Sequence, residues 1–155
     1  MQQAALQNSS VPTEKRNCVM LLVEDNPGDV VMMREALREN GLYVDLRVAR
    51  HGEEAMAQLK DDSQALPDLI LLDLNLPNMN GLEVLAALKS DPRLQLIPVL
   101  ILTTSLARKD VESCYRLHAN SYLTKPLDFG RFVEMVRAMH DFWLALSVPP
   151  IRMSD

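Results

Sequence analysis

Cysteine is scarce in this chain and badly spaced for a metal or a disulfide framework. Cys18 and Cys114 are the two present, with no CxxC pair and no histidine cluster beside them, which excludes a zinc ribbon and a stapled secreted scaffold. Both are expected to be reduced thiols facing the core. The three histidines, His51, His118 and His140, fall in separate segments without ligand spacing, so surface or interface positions are expected for them. Basic residues are outnumbered, 16 Lys and Arg against 21 Asp and Glu, and they are scattered. A general nucleic-acid binder, which needs clustered cationic side chains against the phosphate backbone, is thereby excluded. No apolar run approaches the roughly 20 residues of a membrane span. The opening stretch MQQAALQNSSVPTEKR also lacks the continuous apolar region of a secretory leader, and a cytoplasmic protein is expected. Internal repeats and low-complexity segments are absent as well.

What is present suits one globular domain: 155 residues, 48% hydrophobic and 24% charged. CVMLLVE, PDLILLD and IPVLILTTS are short apolar runs of the kind expected for parallel strands covered on both faces, while LYVDLRVA and SYLTKP read as less buried strands. Between them lie NPGDVVMMREALRENG, HGEEAMAQLKDD, NGLEVLAALKSD and ARKDVESCYRLHA, and the chain closes with FGRFVEMVRAMHDFWLAL, all on helical spacing. The first of these helices has Pro27, Gly28 and Asp29 at its start, Val30, Met33 and Leu37 on one face, and Gly41 past its end. Strict alternation of strand and helix predicts an α/β fold, a five-stranded parallel sheet with helices on both faces. Residues 1–16 are expected to form a flexible tail, 17–146 the domain, and 147–155 a C-terminal extension.

In such a sheet every strand's carboxyl end points to one edge, where ligands bind. That edge collects Glu24 and Asp25 after the first strand, Asp73 after the third, Thr103 and Thr104 after the fourth, and Lys125 after the fifth. If the strands follow the flavodoxin-like order 2-1-3-4-5, taken by analogy, the first and third are neighbours and three carboxylates share one small space. Acids that close repel unless they protonate or bind a cation, and all-oxygen ligands favour a hard ion such as Mg2+. Mg2+ in turn pairs carboxylates with phosphate. Asp73 is the best placed nucleophile for a phosphoryl group, Lys125 offers a point charge to its oxygens, and Thr103 offers a hydroxyl. Thr104 is expected to line the mouth.

The stretches VEDNPGD, LILLDLNLPNMNG, LILTTS and SYLTKP together resemble the receiver domain of two-component response regulators, over about residues 17–141. That resemblance implies a flavodoxin-like receiver fold, Mg2+ held by Glu24, Asp25, Asp73 and the backbone carbonyl of Asn75, and Asp73 as the phospho-acceptor. It also implies Thr103 and Lys125 as the switch hydroxyl and lysine, and Tyr122 as the switch aromatic, where residue type alone is equally compatible with sheet packing. The implied partner is a histidine kinase whose phosphohistidine donates to Asp73. The new charge would draw in Thr103 and Lys125 and let Tyr122 turn. The face of the fourth helix, fifth strand and fifth helix would thereby change, with a second copy of the chain as its expected partner. DNPGD, LTTS and HDFWLALSVPP are further similar to the single-domain receivers that serve phytochrome histidine kinases. Catalysis would be limited to the protein's own phosphorylation and dephosphorylation.

Phe142 and Trp143 either cover the last helix or join a subunit interface with Val148, Pro149 and Pro150, and the interface is favoured here. Three rivals remain at this level. A haloacid-dehalogenase-type phosphatase resembles a DxD pattern, but the second acid's position is Asn75. A flavodoxin-type FMN binder needs a hydroxyl- and glycine-rich phosphate loop where this chain has the anionic EDNPGD. A receiver serving only as a scaffold or phosphate sink is opposed, though not eliminated, by the intact acids, acceptor, hydroxyl and lysine.

Overall fold

The computed structural model describes residues 18–147. The expected tail of residues 1–16 and the extension beyond residue 147, with Val148, Pro149 and Pro150, lie outside the described residues. In chain order the elements are β1 (Cys18–Val23), α1 (Pro27–Glu39), β2 (Val44–Ala49), α2 (Gly52–Lys60), β3 (Leu69–Leu72), α3 (Gly81–Ser90), β4 (Val99–Thr103), α4 (Arg108–Arg116), β5 (Ser121–Thr124) and α5 (Phe129–His140). The strands form one parallel sheet in the order β2-β1-β3-β4-β5, with Met20 opposite Leu69 and Leu72 opposite Ile101.

Strand periodicity divides the apolar side chains between two cores. Leu21, Val23, Ile70, Leu72, Val99 and Ile101 meet residues of α2, α3 and α4, such as Ala55, Leu85 and Cys114. Their alternates, Met20, Leu22, Leu69, Leu71, Leu100 and Leu102, meet Met33 and Leu37 of α1 and Phe132 and Val136 of α5. This is why β3 reads LILL without interruption: all four residues are buried, on one face or the other. Each such leucine contributes roughly 1.5–3 kcal/mol through burial.

Side-chain caps set where most helices start. Asn26 Oδ1 accepts from the Gly28 amide at 2.8 Å at the head of α1, and Asn80 Oδ1 from the Glu83 amide at 2.9 Å at the head of α3. His51, expected to be a surface histidine, serves its own helix locally, since its Nδ1 accepts from the Glu54 amide at 3.2 Å and caps α2. Gly41 ends the α1 turn at φ 65°, a conformation that favours glycine.

The closing helix departs from its sequence reading. Regular α-helix ends at His140, and 141–146 continue as a wider turn closed by the Ser147 amide donating to the Phe142 carbonyl, five residues back, at 2.9 Å. The widening sets Trp143 and Leu144 together against the core on the α1 and α5 side, while Phe142 and Leu146 stay exposed. Trp143 therefore covers the core. Phe142 meets it edge to face, with ring centroids 5.1 Å apart.

Candidate functional site at the carboxyl edge

Parallel pairing runs one residue past the strand ends and creates the site. The Asp73 amide donates to the Val23 carbonyl at 3.1 Å, and the Glu24 amide donates to the Ala49 carbonyl at 2.9 Å. Asp73 and Glu24 are thus locked side by side at the edge. Leu72 and Leu74 both face the α2–α4 core, so Asp73 between them turns the other way. The Asn75 amide then folds back to donate to Asp73 Oδ1 at 3.1 Å and orients the carboxylate.

Glu24, Asp25 and Asp73 each bring a carboxylate oxygen within 4.8 Å of the others, with Glu24 and Asp73 buried and Asp25 exposed. An all-carboxylate set of this size, open on the Asp25 side, fits a hard divalent cation that keeps part of its water shell. Asn75 adjoins the set through its backbone amide.

Lys125 enters from the end of β5, whose last turn is tied to β4 by the Lys125 amide donating to the Thr103 carbonyl at 2.8 Å. Its Nζ donates to Glu24 Oε1 at 2.5 Å, to Asp29 Oδ2 at 2.9 Å and to Asp73 Oδ2 at 3.0 Å. Burial opposes its charge, yet these hydrogen bonds outweigh burial and hold its pKa above the ordinary lysine value. For Glu24 the balance is reversed. Burial pushes its carboxyl up to about 7, and the Asp73 charge adds to the rise, against the relief given by the Lys125 hydrogen bond.

Thr103 closes β4 fully buried, its Oγ1 accepting weakly from the Ser105 amide at 3.4 Å, while Thr104 is exposed at the mouth. Tyr122 is half-buried against the α2–α4 core, and its hydroxyl donates to the Ser105 carbonyl at 2.9 Å. Burial raises its pKa, and the Ser105 bond opposes the rise. Ser105 in turn donates through Oγ to Asp110 Oδ2 at 2.5 Å. The β4–α4 connection is thereby fastened from both sides.

Two residues of the site carry little mark of it in the sequence. Asp29 looks like an ordinary acid in the first turn of a helix, where it suits the dipole. Its one sequence clue is its place four residues after Asp25, on the helix leaving the acidic edge. Gly81 sits in the NG pair that opens α3, but only the backbone shows its purpose. A Cβ there would lie 2.4 Å from the Asp73 carbonyl oxygen and 2.6 Å from Leu74 Cα. The Gly81 amide also donates to the Leu74 carbonyl at 3.1 Å.

Comparison with known proteins shows that the fold is shared. The model of the response regulator receiver domain matches residues 20–137. Response regulator Rcp1 of Synechocystis sp. is 43% identical over 130 residues, covering 81% of this chain and 88% of Rcp1. The crystal structure of the phosphorylated cyanobacterial phytochrome response regulator RcpA superposes with a TM-score of 0.82 at 40% identity, over 87% of this chain and 99% of that one. The Mn2+-bound form of Rcp1 gives 0.79 at 42% identity, over 86% and 99%.

Proposed function

The chain belongs to the response regulator receiver domain family, and from that premise we propose that it is a phosphorylation switch in which Asp73 accepts a phosphoryl group from a partner kinase's phosphohistidine. One Asp73 oxygen forms a bond to phosphorus as the donor's P–N bond breaks and its electron pair returns to the imidazole. Release occurs when water takes the phosphoryl group as inorganic phosphate, so turnover is confined to the protein's own phosphate. The supporting observation is the meeting of Asp73 with Glu24, Asp25 and Lys125 at one sheet edge.

Glu24, Asp25, Asp73 and the Asn75 carbonyl are the residues that would hold Mg2+, which when bound supplies positive charge against the transferring phosphoryl oxygens. Lys125 offers its ammonium to one of those oxygens, and Thr103 turns its hydroxyl toward another. Movement of Thr103 pulls on Ser105, which carries the carbonyl that Tyr122 grips. The face of α4, β5 and α5 then presents a different surface, and a second copy of this chain is the partner we assign to it. Phe142 is exposed just beyond α5. No described helix is long and apolar enough to cross a membrane.

The kinase we assign is of phytochrome type, on the strength of the RcpA likeness. Intact-mass measurement with acetyl phosphate, with and without Mg2+, tests the switch. A phosphoryl adduct that requires Mg2+ and disappears in Asp73→Asn is expected. No adduct in the wild type, with divalent-cation binding demonstrated, would reduce the chain to a scaffold.

A further inference from the structure

An ammonium has three N–H donors, and in Lys125 each is committed to a different carboxylate, on Glu24, Asp29 and Asp73. Two of those acceptors change in the cycle proposed above, on which the present inference rests. Glu24 is wanted by the cation, and Asp73 gains a phosphoryl group. Asp29 alone of the three is outside the metal-ligating set. It also stands on a different element, in the first turn of α1, where its amide is held by the Asn26 carbonyl at 3.1 Å.

The surroundings give Lys125 somewhere else to go. Beside it lies a cavity of about 170 Å³ lined by Met32, Met33, Leu102, Phe132 and Leu127, with Asp29 and Thr104 on its polar side. The lysine stem is four flexible carbons, and Leu127 beyond it is wholly exposed. Once Glu24 is drawn away, a lysine held only by Asp73 can swing along this cavity to solvent. Asp29 is two-thirds buried, with 32% of its side chain exposed, so its grip is partly shielded from water.

We propose that Asp29 is a positioning residue, the fixed anchor that keeps the Lys125 ammonium over the acceptor while Glu24 and Asp73 exchange partners. It touches neither cation nor phosphoryl group and acts only through the lysine.

Two readouts test this, one without metal. In the metal-free protein, competitive acetylation of lysines at pH 8, read by peptide mass spectrometry, is expected to modify Lys125 about fivefold faster in Asp29→Ala than in wild type. With Mg2+ and acetyl phosphate, adduct formation is expected to slow by about fivefold through misplacement of the ammonium. In a Lys125→Ala background the further change Asp29→Ala should add nothing, the signature of one residue acting through another. Asp29→Asn keeps the shape of the first turn and is expected to move both readouts in the same direction, which separates the effect from a folding defect.

Unchanged Lys125 labelling in Asp29→Ala, both without metal and with Mg2+ added to engage Glu24, overturns the anchor. So does an equal rate loss with Lys125 absent, because Asp29 would then act by its own charge. If wild-type protein accepts no phosphoryl group, the receiver reading fails, and the labelling ratio still decides whether Asp29 holds Lys125.

Discussion

Replacing Gly81 with alanine should disable the acceptor without touching a reacting group. The added Cβ would stand 2.4 Å from the Asp73 carbonyl oxygen, whereas ordinary contact begins near 3.4 Å, a shortfall of about 1 Å. Both atoms it meets first are backbone, so no rotamer change relieves the clash. Either the head of α3 retreats or the end of β3, carrying Asp73, is pushed toward Glu24. Overpacking of this kind costs about 1–3 kcal/mol of stability, offset by less than about 1 kcal/mol of helix propensity gained over glycine. A displacement near 1 Å at the reacting group is worth on the order of 100-fold in rate.

Gly52→Ala is the matching control. Its Cβ would meet Val84 Cγ2 at 2.7 Å and Met79 Sδ at 2.9 Å, side-chain atoms rather than the backbone that carries Asp73. Thermal unfolding and the rate of phosphoryl uptake from acetyl phosphate are to be measured on both variants. Both are expected to lose stability, but only Gly81→Ala should lose uptake by more than the unfolded fraction explains. Uptake by Gly81→Ala at the wild-type rate would refute the argument that α3 and the acceptor share one tightly fitted backbone contact.

Tyr122→Phe removes the hydroxyl that grips the Ser105 carbonyl at a cost of about 1 kcal/mol, and amide exchange should quicken across 104–110; unchanged exchange there would mean that Asp110 alone fastens the connection. The Cys114 thiol is pushed up to about 11 by burial and by the Asp110 charge. Its contribution to stability is therefore full below about pH 9 and is lost as pH rises through about 11, so iodoacetamide at pH 8 should label Cys114 only at the rate of unfolding. Rapid labelling of the folded protein would contradict its burial.

Much of this structure is written locally in the chain. The runs ending in Glu24, Asp73 and Thr103 are strands because uninterrupted apolar residues need cover on both faces. Asn26, Asn80 and Gly41 mark helix limits through their own hydrogen bonds and φ preferences. Asp73 is legible because it stops an apolar run that otherwise has no reason to stop. The grip of Asp29 on Lys125 spans 96 residues and has no periodicity to betray it, since an acid in a first helical turn already has a sufficient local cause. Gly81 is hidden for the opposite reason: its importance is the absence of an atom beside a strand distant in space. The wide turn at 141–146 arises from the pull of Trp143 and Leu144 toward the core, a tertiary demand that helical spacing cannot register.

The division of apolar side chains between two cores makes the sheet a wall with the working groups sorted along its rim. Asp73, Asp29 and Lys125 gather on the side of α1 and α5, whereas Tyr122 leans on the other side, toward α4. No side chain crosses a dry parallel sheet, so in the switch proposed above news of an event on one side would travel around the rim, through Thr103 and Ser105. Deleting one residue from β4 would therefore do more than shorten a strand. It would exchange the two sides for the part of β4 beyond the cut, turning the Thr103 hydroxyl away from the side it now occupies relative to the acceptor.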